Sequence, residues 1–339
     1  MAGRGPGPRP LSRRDARPRA HRRLRPLLHR RRHLARAGRR GGRRREEGGA
    51  ALSYRYLLGD SLREAERLRA QARLWDPTAE ALFDRLGVRP GWKVLEVGPG
   101  QGSLHLALRR RVRGPIDAVE RSAAFAARLR ALCARDGLGR GRFWESDLLA
   151  ARLPRAEYDL VFARWVFLFL PDPVAHLRKL VATLKSGGLL AIEDYHRETW
   201  ALVPRPPEWA DFLAADHAFF ASQGADASVG SRLPEMYRRV GLKVVEVVPT
   251  VKVGGPGSPV WRWVTTYFLS VADRYAQCAP LTVESTARLR RSWLAAGRRP
   301  ASVMIAPAVL DVVGRKPGGG RARPGTRRAR KRSSGVRLR

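Results

Sequence analysis

Cysteine is scarce in this chain: 339 residues hold two, Cys133 and Cys278. Two such thiols build neither a disulfide framework nor a cysteine-rich metal cluster, which suits a reducing compartment, so a cytoplasmic protein without a metal is expected. Cys133 shares an apolar helical stripe with Phe125, Leu129 and Leu132, a pattern of core packing rather than of a reactive thiol. Long hydrophobic runs are also missing. The longest, at residues 166–170, is cut by Arg164 and Pro171 and falls far short of the roughly 20 residues that cross a bilayer. Arg13 and Arg14 form a twin arginine, but Arg17, Arg19, Arg22 and Arg23 interrupt the apolar stretch that an export signal needs. No membrane contact is expected.

Acidic residues are few: 30 Asp and Glu stand against 67 Lys and Arg, a net charge of +37. The excess is concentrated at the ends. Residues 1–50 carry 18 Arg against Asp15, Glu46 and Glu47, and residues 315–339 carry 11 basic and no acidic residues, leaving +11 on residues 51–314. Both ends are rich in Arg, Gly, Pro and Ala and lack apolar periodicity, so they are expected to be disordered. They read either as arms that grip phosphate backbones nonspecifically or as compositional bias without a partner. The 44% hydrophobic content is enough for one large α/β domain with additions, or for two smaller domains.

Against these absences stands one dense motif, Val94 to Ser103, VLEVGPGQGS. A short β-branched run, as in a covered parallel strand, leads into glycines at 98, 100 and 102 and then a helix. Such a turn lets a ligand approach the backbone and aims free helix N–H groups at it. A dinucleotide fingerprint would want Gly or Ala at 103, where Ser103 stands. A second strand, at 116–119, ends in Glu120, 24 residues after Glu96, where an acid can accept hydrogen bonds from two ribose hydroxyls. A third, at 142–145, leads to Ser146 and Asp147. A fourth, at 160–163, ends at Arg164, and LKSGGLLAIE at 184–193 supplies a turn and a fifth strand.

The string E-x-G-x-G-x-G from Glu96, with this ordered set behind it, resembles the class I S-adenosylmethionine-dependent methyltransferases, in their type 11/25-like or UbiE-like small-molecule branch. The resemblance covers residues 51–314. It implies a Rossmann-like α/β fold, a seven-stranded mostly parallel sheet with helices on both faces, and S-adenosyl-L-methionine as cofactor. It also implies cofactor contacts at Glu96 (amino-acid end), Gly98, Gly100 and Gly102 (methionine and ribose), Glu120 (ribose), Asp147 (adenine), and at Arg121, Leu148 and Arg164.

Around this core, Ser61 and Glu64 read as a capping box opening a helix over 62–74, and Asp76 with Pro77 as the cap of a second helix ending at Gly87. Residues 51–90 would form an N-terminal helical cap, with Tyr54 and Tyr56 either closing over the cofactor or packing on the sheet edge. After strand 5 the chain is dense in aromatics over 194–240 and 255–300, a helical lid that suits a flat or hydrophobic acceptor unless its rings form the insertion's own core. Strands at 242–248 and 308–313 would complete the sheet, the latter antiparallel. Asp194 and His196, just after strand 5, and His217 are the candidate general bases, His196 first.

Other chemistries lack their marks. Residues 163–166 read Ala-Arg-Trp-Val where adenine methyltransferases carry N/D-P-P-Y/F, neither cysteine follows a proline, and no tyrosine has a lysine four residues later. Two cysteines are too few for an arsenite methyltransferase, and the paired-glutamate loop of protein arginine methylation is not found. The expectation is methyl transfer to a small molecule by a monomer or homodimer. The alternatives are an RNA-directed methyltransferase or a noncatalytic nucleic-acid-binding protein that uses the basic tails.

Overall fold

The computed structural model describes residues 62–318, with side chains from Arg67 onward, all within the unit Tyr54–Arg339. The readings for residues 1–50 and 319–339 of the arginine-rich tails, Tyr54, Tyr56 and the Ser61–Glu64 capping box lie outside the described residues or their side chains. The C-terminal tail expected from 315 starts later, because Arg315 ends the last strand and Lys316 donates to the Val181 and Leu184 carbonyls.

The chain opens with helix α1 (Leu62–Arg85), then alternates β1 (Val94–Val97), α2 (Ser103–Val112), β2 (Asp117–Glu120), α3 (Ala123–Cys133), β3 (Phe143–Glu145), β4 (Tyr158–Arg164), α4 (Pro173–Thr183) and β5 (Leu184–His196). It continues through β6 (Ala201–Val203), α5 (Trp209–Ser222), α6 (Leu233–Arg239), β7 (Lys243–Thr250), β8 (Val253–Gly254), α7 (Pro259–Tyr275), α8 (Val283–Ala296), β9 (Val303–Ile305) and β10 (Ala308–Arg315). The seven-stranded sheet runs β3-β2-β1-β4-β5-β10-β7. Strands β1 to β5 pair in parallel, and β10 is antiparallel to both β5 and β7. This is the Rossmann-like, mostly parallel sheet expected from the sequence.

Side-chain alternation assigns the two faces. Val94, Leu160, Phe162, Leu189 and Ala191 pack with Ala79, Leu82 and Phe83 of α1 and with Leu104 and Leu108 of α2. Their strand neighbours Leu95, Val161, Leu190 and Ile192 join the larger core with Leu177 and Leu180 of α4. Strand order brings the ends of β1, β2, β4 and β5 to one edge, where open α/β sheets hold their ligands.

The structure departs from expectation in three places. Residues 62–85 form one continuous helix, with Pro77 inside it, rather than two. A proline costs an interior helix one hydrogen bond, but here Trp75, Ala79, Leu82 and Phe83 are buried on both sides of it, and that packing carries the helix through. Strand β5 extends to His196, so Asp194, Tyr195 and His196 are strand residues paired with Leu310, Val309 and Ala308. A small second sheet, β6-β9-β8, also forms between the insertions. Its strands are two or three residues long, too short to show a period in the sequence.

Candidate active site

The glycine-rich turn is shaped by its backbone. All three glycines have positive φ, at +64° for Gly98, +54° for Gly100 and +84° for Gly102. They do different things. A Cβ on Gly98 would lie 2.6 Å from Val166 Cγ2, and one on Gly102 would lie 2.6 Å from Leu129 Cδ1, so both are small because protein packs against them. A Cβ on Gly100 would meet nothing within 4 Å. Gly100 is where the turn is open to a ligand.

Glu120, at the tip of β2, curls back toward this turn. Its Oε2 accepts from the Gly100 N–H at 3.2 Å and its Oε1 from the Ser122 N–H at 2.8 Å. Burial raises its carboxyl above the usual range, opposed by those backbone donors. The Arg121 N–H is a third backbone donor, and a carboxylate offers about four acceptor positions, so one remains for a hydroxyl. Together with the open face of Gly100, this donor and acceptor set fits the ribose of a nucleoside such as S-adenosylmethionine. Arg121 follows, exposed. Asp147 caps its own turn, its Oδ1 accepting from the Leu149 N–H at 2.8 Å, and is exposed, whereas Leu148 is buried in the core.

Glu96 has a partner that the motif did not reveal. Its Oε2 lies 2.9 Å from His105 Nδ1, and both side chains are buried. Burial alone would push the imidazole down, but the neighbouring Cys133 and the Glu96 carboxylate bonded to Nδ1 outweigh this and hold it at about 9. His105 opens no motif of its own, and its position nine residues after Glu96 becomes meaningful only once α2 folds back over β1.

At the tips of β4 and β5 the structure brings α1 onto the sheet. Arg164 donates to Asp76 of α1 at 2.5 Å, and its guanidinium lies 4.5 Å from the Trp165 ring centre. Trp165 has φ +53°, a conformation that costs an L-residue about 1–2 kcal/mol. Its ring stacks on Tyr195 at 5.5 Å and meets Trp75 edge-on at 6.0 Å. Beneath them Glu193 and Asp311 are buried opposite one another across β5 and β10, and Arg85 bonds Asp311 at 2.7 Å. Burial holds the Glu193 carboxyl well above the usual range and raises Asp311, which Arg85 opposes.

The three candidate bases are placed apart. Asp194 is fully buried, its Oδ2 accepting from the Leu168 N–H at 3.1 Å and its Oδ1 from the Tyr195 N–H at 2.9 Å. Burial raises it to about 7 against those backbone donors, yet it faces the turn at 167–169 and anchors it, a correction to its reading as a base. His196 ends β5 half-exposed, with Nε2 3.8 Å from Glu198. His217 lies half-buried on α5.

Most aromatics of the insertions form their own core rather than an acceptor surface. Trp200, Trp209, Phe212, Phe268 and Trp293 are buried together, and Phe268 stacks on Trp293 at 4.2 Å. Arg197 ties this core to the end of β5. It donates to Asp216 at 2.8 Å and to the Tyr267 hydroxyl at 2.9 Å, and the Tyr275 hydroxyl donates to Asp216 at 2.6 Å.

Residues 95–192 match the family model of a methyltransferase domain. The chain is 32% identical over 116 residues to a trans-aconitate 2-methyltransferase of Rhodopseudomonas palustris (strain BisB5), covering 34% of this chain and 43% of that protein. It is 32% identical over 145 residues to a trans-aconitate 2-methyltransferase of Azoarcus sp. (strain BH72), covering 41% of this chain and 55% of that one. The chain thus spans about half the length of the curated relatives it matches. Among solved structures it resembles an S-adenosylmethionine-dependent methyltransferase from Aquifex aeolicus, with a TM-score of 0.43 and 21% identity over 56% of this chain and 93% of that one. The glycine turn and the β2 acid both lie within the matched stretch, so residues 95–192 form a methyltransferase domain.

Proposed function

We propose that this protein transfers a methyl group from S-adenosylmethionine to a small acceptor held between the tips of β4 and β5 and the insertions. The observation that carries this reading is Glu120, held by the Gly100 and Ser122 N–H groups beside an open glycine. When bound, the cofactor supplies a methyl on a sulfonium, an electrophile with a neutral leaving group. The chain's own work is orientation, which can supply about 7–11 kcal/mol of a barrier. In this reading Gly98, Gly100 and Gly102 cradle the amino-acid and ribose parts, Glu120 with Arg121 the ribose, and Asp147 with Leu148 the adenine. Glu96 sets the shape of the turn through His105, and Arg164 holds α1 over the site. His196 is the candidate for removing a proton from an acceptor hydroxyl or acidic carbon, and His217 is second.

The acceptor is small and carries an aromatic or apolar part, which the rings of Trp75, Trp165 and Tyr195 would flank. The relatives' name, trans-aconitate 2-methyltransferase, supports a small-molecule acceptor.

Titration calorimetry with S-adenosylhomocysteine tests the reading. Saturable binding by the wild-type chain, weakened about tenfold or more in Glu120→Ala, is expected. A wild-type chain that does not bind the nucleoside ends it.

A further inference from the structure

Several buried polar groups around Trp75 are left unpaired, among them one acceptor, Glu193 Oε2, 4.0 Å from Arg164 Nε. The indole Nε1 atoms of Trp75 and Trp165 and the Nη1 of Arg164 are buried and have no hydrogen-bond partner. Buried donors without acceptors are rare in folded proteins and call for an occupant. Lys252 adds a charge. Its Nζ lies 5.0 Å from the Trp75 ring centre, and among the described residues no carboxylate stands within ion-pair distance of it. Partial burial lowers its pKa, as expected for an ammonium held away from water without a counter-ion. Of the acids nearby, Asp76 is engaged by Arg164 and Asp311 by Arg85, and burial holds the Glu193 carboxyl well above the usual range, which disfavours its charged form as a counter-ion. Trp263 of α7 closes another side of Trp75, with ring centres 5.7 Å apart.

We propose that the aromatic cluster of Trp75 and Trp165 binds a carboxylate of the methyl acceptor, with Lys252 as its counter-ion and the two indole N–H groups and Arg164 Nη1 as donors. A planar oxyanion matches this set because it accepts several hydrogen bonds at once and offsets the ammonium charge. The sheet order assigns it to the acceptor rather than to the cofactor's own carboxylate. Gly100 and Glu120 stand at the tips of β1 and β2, whereas Trp165 follows β4 and Lys252 follows β7 at the far edge. The inference rests on the methyltransferase reading above and adds to it the chemical class of the substrate.

The test uses the full chain loaded with S-adenosylhomocysteine and titrated with trans-aconitate and benzoate, each beside its methyl ester. At least one acid is expected to bind about tenfold or more tightly than its ester. Lys252→Met removes that preference, Lys252→Arg keeps it, and both bind S-adenosylhomocysteine as the wild type does. Esters that bind as tightly as acids, acids that do not bind, or a preference that survives Lys252→Met would each overturn the proposal. So would a parallel loss of S-adenosylhomocysteine affinity in Lys252→Met, which gives the lysine to the cofactor's carboxylate. A wild-type chain that fails to take up S-adenosylhomocysteine overturns the methyltransferase reading instead.

Discussion

The buried imidazole of His105 makes the stability of this domain depend on pH. Its pKa is raised from the ordinary 6.5 to about 9 in the folded chain by Cys133 and Glu96, against burial. A group bound more tightly to its proton when folded contributes fully below its unfolded value and loses that contribution as pH rises through its folded value. The melting temperature should therefore fall between pH 6.5 and about 9.5, and the fall should be shallower in Glu96→Gln. Equal slopes in the two proteins would remove the His105–Glu96 pair as its source. The glycines offer a second residue-scale comparison. Gly98→Ala adds a clash with Val166 to the strain of a left-handed alanine, whereas Gly100→Ala adds the strain alone. Both should lower the urea midpoint, Gly98→Ala by more. Gly100→Ala should also weaken S-adenosylhomocysteine binding, measured by calorimetry beyond the loss of folded protein.

Among the elements, the insertion after β5 hangs on one buried ion pair. Arg197 and Asp216 have side-chain exposures of 5% and 0%, so removing the acid leaves a guanidinium with neither water nor a counter-ion. Such a loss costs about 3–5 kcal/mol. Asp216→Ala should show it in urea denaturation, and a loss below about 1 kcal/mol would mean that Tyr195, Tyr267 and Phe220, whose rings lie about 5 Å from the guanidinium, suffice to hold it. The strands of the cofactor half were legible in the sequence because each is a short apolar run ending in a turn residue or an acid, as at Val97–Gly98 and Glu120. The acceptor half was less so. Trp75, Trp165, Trp263 and Lys252 are separated by up to 188 positions in the chain, and only the packing of α1 and α7 brings them together. Asp194 misled for a related reason. Its position after an apolar run suggested a loop, but pairing with β10 carries β5 through it and turns its side chain inward.

At the scale of the whole molecule, charge and catalysis occupy different parts of the sequence. The ends, residues 1–50 and 315–339, hold most of the positive excess, whereas the residues proposed to hold the cofactor and acceptor fall between 75 and 263. Removing residues 1–50 and 319–339, which spares the end of β10 and Lys316, should abolish salt-sensitive RNA or DNA binding, read from the slope of affinity against salt, and leave S-adenosylhomocysteine affinity intact. A truncated chain that keeps a steep salt slope would place the nucleic-acid contact on the folded body. The sheet order also imposes a sequence of assembly. Strands β1 to β5 can pair as they emerge from the ribosome, each beside one already made. The acceptor side cannot, because β10 must slot between β5 and β7 and comes after both. Until Ala308–Arg315 has been synthesised, β5 and β7 have no strand to join them, and the nascent chain can form its nucleoside-binding half well before it has anywhere to put an acceptor.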